Sequence, residues 1–198
     1  IRLPGSLDEA GKGRVVPKSD KTSSLSRRYE FSGKAWYRRE VNIPEKWRGK
    51  RIFLNMERTR VTHVFVDGKY VDSCLLVCSP QRYELTGHLT KGKHILTVCV
   101  DNGRACGLPE EVFGSHMFTD NTQTNWNGIL GKITLEMRPQ LYIRKVKVTP
   151  NAERRSCEVN VELDNGGRVV SGVMKVEGGG VSLNQKVYAE KGLSQVVL

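Results

Sequence analysis

The stretch Val61-Thr62-His63-Val64-Phe65-Val66-Asp67-Gly68-Lys69-Tyr70-Val71 decides the fold. Two runs rich in β-branched and aromatic residues flank Asp67-Gly68. An Asp-Gly pair between two apolar runs is the strongest short hairpin signal, because both turn residues need positive φ. Strand-like segments continue on either side. Upstream, Ala35–Ile43 places Ala35, Tyr37, Val41 and Ile43 on one face and Trp36, Arg38, Glu40 and Asn42 on the other. That is the period of two of a half-buried strand, and Pro44 ends it. Arg51–Met56 alternates Ile52, Leu54 and Met56. Downstream, Arg82–Leu85 and His94–Val100 give two more strands, with Lys91-Gly92 as a turn between them. Arg2–Arg28 is loop-like, with Leu3 and Leu7 expected to pin it to a surface. No segment before Pro139 has a sustained helical period. Residues 1–139 therefore read as an all-β domain of many short strands, a sandwich or jelly roll.

A junction falls at Pro139–Leu141. Beyond it Leu141–Pro150, Cys157–Leu163 and Val173–Val176 alternate again, separated by the turns Asn165-Gly166-Gly167 and Gly178-Gly179-Gly180. Residues 140–198 read as a second β-sandwich of immunoglobulin-like type. The Cys…Trp…Cys core pattern is absent, so strand spacing alone carries this reading. The segment is well short of the roughly 100 residues usual for such a domain. It stops in the apolar run Val196-Val197-Leu198, so the module is expected to be cut before its last strands. The opening Ile1 has no initiator Met and no signal peptide opens the sequence, so the chain is expected to be a piece cut from a longer protein, with room for a leader removed ahead of it.

Composition excludes several classes. Hydrophobic residues make up 38% and charged residues 27% of 198 positions, ordinary for a folded globular chain. No apolar run approaches the roughly 18–20 residues of a membrane span, so no membrane partner is expected. The formal charge is +11; residues 1–139 hold 23 Lys+Arg and 15 Asp+Glu, giving +8, and residues 140–198 hold 9 and 6, giving +3. The excess lies around Arg27-Arg28, Arg38-Arg39 and Lys46–Arg51, scattered through strand-like segments without a nucleic-acid motif. It reads as a solvated basic face, or one that meets another part of the protein, and no nucleic-acid partner is expected.

Cys74, Cys78, Cys99, Cys106 and Cys157 match no zinc spacing, nor do His63, His88 and His94. Cys99 sits in an alternating run and reads as a small buried hydrophobe. Glu110-Glu111 are neighbours in a Pro-containing loop, Ser115-His116 lacks a Gly-x-Ser-x-Gly frame, and Gly11-Lys12-Gly13 lacks a Walker frame. No catalytic residue, metal or cofactor is therefore expected in this chain.

The chemistry concentrates in Ser115–Gly131, SHMFTDNTQTNWNGILG. Carbohydrate sites need carboxylates and amides that fork onto vicinal hydroxyls, with an aromatic face for the sugar's C–H surface. Asp120, Gln123, Asn125, Asn127 and Trp126 supply those groups. The same residues also suit a loop held by its own Asx turns with Trp126 as a buried anchor. Composition alone does not separate the two.

Gly33–Arg39, Ile43–Lys50, Val64–Lys69, Tyr83–Thr86, Gly92–His94, Val100–Asn102 and Asn125–Gly131, followed by Leu141–Pro150, resemble in order the N-terminal part of glycoside hydrolase family 2. This is the family of β-galactosidases, β-glucuronidases and β-mannosidases. The opening Leu3–Asp8 with Thr119–Trp126 resembles the variety found in Bacteroides-type bacteria. The resemblance implies a jelly-roll sugar-binding domain, an immunoglobulin-like domain, and then a (β/α)₈ barrel carrying an acid/base Glu and a nucleophile Glu for a retaining mechanism.

On this reading the parent is a retaining exo-β-glycosidase, in the first place a β-galactosidase, in the periplasm or outside the cell. The partners implied are a β-galactoside or β-glucuronide and the barrel of the same chain. The fragment alone is expected to be inert. In the family, the loop before the Gly-Ile pair reaches into the pocket, and an Asp there contacts the sugar. Counted from Gly128-Ile129, that position falls on Thr122. Either the loop is re-registered and Asp120 contacts the sugar, or the amides of Gln123 and Asn125 replace it. Asp120, Gln123, Asn125 and Trp126 are the substrate-binding candidates. A free-standing carbohydrate-binding module is the alternative reading.

Overall fold

The computed structural model describes residues 1–18, 25–118 and 124–198. Two compact units divide the chain, one of Ile1–Arg48 with Ile52–Glu136, the other of Gly49–Arg51 with Met137–Leu198.

The first unit runs through β1 (Gly5–Ser6), β2 (Arg14–Val15), β3 (Tyr29–Glu30), β4 (Lys34–Ile43), β5 (Arg51–Thr59), β6 (Val61–Val66), β7 (Lys69–Cys74), β8 (Gln81–Glu84), β9 (Gly92–Asp101), one helical turn α1 (Glu110–Phe113), and β10 (Gly128–Arg138). Two four-stranded sheets, ordered β1-β10-β5-β8 and β4-β9-β6-β7, form the sandwich, and β2 pairs with β3 beside them. Ile43, Leu54, Met56, Val64, Leu85, Val98, Val100 and Ile129 fill the space between the sheets. They come from alternate positions because side chains one residue apart point to opposite faces.

The Asp67-Gly68 hairpin forms between β6 and β7, with φ of 50° and 78° at its two turn residues. It is tied down as well as turned. Asp67 accepts bonds from the Ile95 amide and from His94 Nδ1, each at 2.7 Å. Those two bonds, the amide first, hold the Asp67 carboxyl below its ordinary pKa.

Two features differ from the sequence expectation. In β5 the alternation fails, because Ile52, Phe53 and Leu54 are all buried. The second face of this central strand is covered, with the Arg82 guanidinium 3.8 Å from the Phe53 ring centre. The N-terminal segment is also more than a pinned loop. Gly5 and Ser6 pair with Ile129 and Gly128, and the Leu7 amide bonds to Asn127 O at 2.8 Å.

The second unit holds β11 (Leu141–Asn151), β12 (Ser156–Asn165), β13 (Val170–Gly178), β14 (Val181–Ala189) and β15 (Gly192–Val197). The sheets are β11-β12-β15 and β13-β14. Val159, Val161, Leu163, Ala189 and Val196 make its core, with Met174, Val176 and Val187 packed against them. The chain is thus all-β, a jelly-roll sandwich followed by an immunoglobulin-like one. All five cysteines are free thiols.

Candidate functional site

The polar loop leaves the end of β9, passes through α1 and returns to β10 at Gly128. Its two described ends are fixed by separate sets of side chains.

The first anchor is Arg60, between β5 and β6 and only 2% exposed. Its guanidinium donates to Met117 O at 2.7 Å, to Thr124 O at 3.4 Å and, through Nε, to Trp126 O at 3.4 Å. It also lies 4.6 Å from the Trp126 ring centre and 5.3 Å from that of Phe118. Carbonyl dipoles and two π faces offset the desolvation of the cation. The Arg60 backbone is fixed in turn by Gln81, whose amide donates to Arg60 O at 2.8 Å and Leu76 O at 2.6 Å. Gln81 Oε1 accepts from Thr62 and from Tyr83. Burial, the dominant effect, pushes the Tyr83 phenol well above its ordinary pKa and keeps it a neutral donor.

The second anchor is a group of asparagines. Asn127 and Asn102 are both fully buried. Asn127 Nδ2 donates to Gly33 O and Val100 O, each at 2.9 Å, and to Asn102 Oδ1 at 3.2 Å. Its Oδ1 accepts from the Tyr37 hydroxyl at 3.0 Å. Burial first, and the charge of Asp8 second, push the Tyr37 pKa up to about 12. Asn102 bonds to the Gly33 amide at 3.0 Å, to Phe31 O at 2.7 Å and to Asn125 O at 3.2 Å. Arg27 adds a bond to Asn125 O at 2.6 Å and pairs with Asp8 and Glu30. Thr59 then accounts for Gly128 O at 2.8 Å.

These contacts place the sequence candidates. Asn125 is half-buried and its Nδ2 donates to Asn102 O at 2.9 Å, so its amide nitrogen serves the loop itself. Trp126 is half-buried against Arg60. The structure therefore brings Asn125 and Trp126 onto the same anchored segment. Asp120 and Gln123 lie outside the described residues. Among the described residues, no group of His, Cys, Asp and Glu side chains is arranged to hold a metal ion, and no helix is long and apolar enough to cross a membrane.

A cleft of about 700 Å³ opens elsewhere in the first unit, lined by Leu3, Tyr37, Leu54, Val98, Ile129 and Ile133 among others. Its walls are mostly aliphatic, and neither Asn125 nor Trp126 reaches it. Hydrogen-bonding groups gather at the loop, so the loop is the better candidate for a polar ligand. Sequence reasoning missed Arg60, Gln81 and Asn102 as the residues that position it. None of the three is marked locally in the sequence, and Arg60 stands beside Glu57 and Arg58 like any charge at a strand corner.

The profile of "Glycosyl hydrolases family 2, sugar binding domain" matches residues 23–139. The chain belongs to glycosyl hydrolase family 2. A β-glucuronidase from Formosa agariphila is 29% identical over 100 residues, covering 50% of this chain and 9% of that protein. Among solved structures, a Bacteroides fragilis protein assigned as a β-galactosidase matches with a TM-score of 0.74 at 20% identity, over 100% of this chain and 30% of its own. A Bacteroides uniformis β-glucuronidase matches with a TM-score of 0.71 at 17% identity, over 100% and 24%. An Eisenbergiella tayi β-galacturonidase, solved with galacturonate bound, matches with 0.67 at 22%, over 85% and 29%. At such identities the structural likeness speaks for the fold. The family 2 chain spans less than a third of the length of each of these relatives.

Proposed function

We propose that this chain is the non-catalytic N-terminal segment of a retaining exo-β-glycosidase of family 2. Its Ser115–Gly131 loop forms one wall of the sugar pocket, and the two catalytic carboxylates come from a barrel elsewhere in the parent protein. The substrate class is a β-galactoside or a β-glucuronide, and the parent works in the periplasm or outside the cell. The observation that carries the reading is the anchoring of the loop. Phe118, under the Arg60 guanidinium, and Thr124, whose carbonyl that guanidinium holds, bracket the segment that carries Asp120 and Gln123. Binding groups act best when supporting side chains fix their positions.

The roles divide along the same line. Asp120 and Gln123 are the groups that fork onto sugar hydroxyls, Trp126 supports the loop and lends it an aromatic surface, and Asn125 holds the backbone. The test is substitution in the full-length enzyme. Asp120→Ala and Gln123→Ala should each lower kcat/KM on an aryl β-glycoside by about tenfold or more, the loss of one good hydrogen bond in the transition state. Unchanged melting temperature should accompany that loss. Wild-type kinetics in both variants would remove the loop from the pocket. Hydrolysis by purified 1–198 alone would overturn the non-catalytic assignment.

A further inference from the structure

The solvent face of the β4-β9-β6-β7 sheet carries three aromatic rings. Trp36 is 60% and Tyr70 53% exposed. Phe65 stands between them, its ring centre 5.5 Å from Trp36 at an interplanar angle of 45°, and 5.6 Å from Tyr70 at 71°.

The register shows what surrounds the rings. Arg38, Thr97, Phe65 and Tyr70 lie in one cross-strand row, and Trp36, Cys99, His63 and Ser73 in the next. Residues directly opposite in a ladder share a face. Cys99, 1% exposed, is the floor, while Thr97, His63 and Ser73 offer polar groups between the rings. Arg38 is exposed and makes no ion pair among the described residues.

Val61, two positions before His63 on the same strand face, is covered by Phe113, Phe118 and Cys106 from the loop segment. The ring strip begins where that cover stops. Aromatic rings clustered on a solvent face run against the usual alternation of a sandwich strand and point to an interaction surface.

We propose that the Trp36–Phe65–Tyr70 face is a second carbohydrate-binding surface, one that takes a carboxylate-bearing glycan chain. Rings offer faces to the C–H surface of pyranose units, and the neighbouring hydroxyls and imidazole meet their hydroxyl groups. Arg38 is the donor for a uronate carboxylate, for which a guanidinium is geometrically suited. The excess of basic residues in 1–139, which is +8, complements the same chemistry. The rings are tilted to one another rather than coplanar, which suits a twisted soluble chain and not a flat crystalline face. The test of this surface does not depend on the loop's role.

The experiment uses the full-length enzyme in native gels containing polygalacturonate or a neutral galactan. Wild type should be retarded by polygalacturonate. Trp36→Ala and Tyr70→Ala, which leave the charge unchanged, should each weaken that retardation roughly three- to tenfold. Arg38→Ala should weaken it too, with little effect in the neutral gel. In all three variants kcat/KM on a small aryl β-glycoside and the melting temperature should match wild type. Retardation that is absent, or unchanged in Trp36→Ala and Tyr70→Ala, overturns the proposal. So does a joint loss of melting temperature and small-substrate activity, which would make the face a docking surface for another domain. Equal retardation in both gels, unaffected by Arg38→Ala, overturns the preference for carboxylates.

Discussion

Replacing Asn127 by Leu keeps the side chain's approximate volume and removes all its hydrogen bonds. Four contacts are lost, but their costs differ. Gly33 O still accepts from the Asn102 amide at 3.3 Å, and Asn102 Oδ1 still accepts from the Gly33 amide at 3.0 Å. The Tyr37 hydroxyl loses the partner it had at 3.0 Å, and Val100 O loses a donor at 2.9 Å. Val100 O keeps its place in the ladder opposite Ala35, so the Tyr37 hydroxyl is the group left without its partner, at about 2 kcal/mol. Burial of the leucine methyls returns about 1 kcal/mol. The net loss is then about 1 kcal/mol, equivalent to a fall in Tm of roughly 2–4 °C for the first unit. Urea unfolding followed by tryptophan fluorescence reads it directly. Asn127→Asp supplies an internal control. Its carboxylate would face the Gly33, Val100 and Asn102 oxygens, so its folded pKa would be raised above the unfolded value of about 4. That variant should be close to wild type below pH 4 and lose stability as pH rises through the folded pKa. A loss below about 0.5 kcal/mol for Asn127→Leu, typical of surface substitutions, would show that the asparagine network does not hold the loop.

Two further perturbations test neighbouring parts of the frame. A Cβ on Gly128 would lie 2.3 Å from Gly5 O and 2.8 Å from Ser6 Cα, so Gly128→Ala should separate β1 from β10 and expose the Leu7 amide to hydrogen exchange; wild-type protection there would refute the close approach. In the second unit, burial raises the Asp164 pKa, but bonds from Arg51 at 2.5 Å and Tyr142 at 2.7 Å outweigh it and leave the pKa lowered. The stability Asp164 contributes is present above its unfolded pKa and is lost as pH falls through the lower folded value. Asp164→Asn should therefore destabilise the unit at pH 7 and flatten its acid unfolding curve, and an unchanged curve would refute the pairing.

How far the sequence reveals the fold follows from how local each signal is. The Asp67-Gly68 hairpin is written in eleven consecutive residues, because turn geometry and strand alternation are both short-range. The same holds for β4, where Trp36 stays exposed while Ile43 is buried, as the alternation requires. β14 shows the opposite case. Val181, Leu183, Val187 and Ala189 alternate, but Gln185 interrupts them, and only Val187 and Ala189 reach the core. The strand is held by its ladder to β13, from Gly178↔Val181 to Val170↔Ala189. Backbone pairing carries no side-chain signature, so the three glycines at 178–180 disclosed the turn without disclosing the strand that follows it.

The loop was legible in composition and not in its division of labour. Amides clustered around Trp126 pointed equally to a ligand and to a self-bracing turn, and the described residues show the bracing part. Asn127 and the nitrogen of Asn125 bond to protein, across intervals of up to 94 residues. Arg60 reaches the loop across 57, 64 and 66 residues. Nothing near Arg60 in sequence distinguishes an inward guanidinium from one that caps a solvent-exposed corner; only the fold supplies carbonyls and rings for it. A residue that looks available for ligand chemistry can thus be committed to architecture, and an unremarkable charge can decide where that chemistry sits. Holding the backbone at Met117, Thr124, Asn125 and Trp126 with buried donors lowers the ordering entropy that a ligand must overcome. In the proposed function, Asp120 and Gln123, which the sequence places between those fixed points, are the groups that this frame serves.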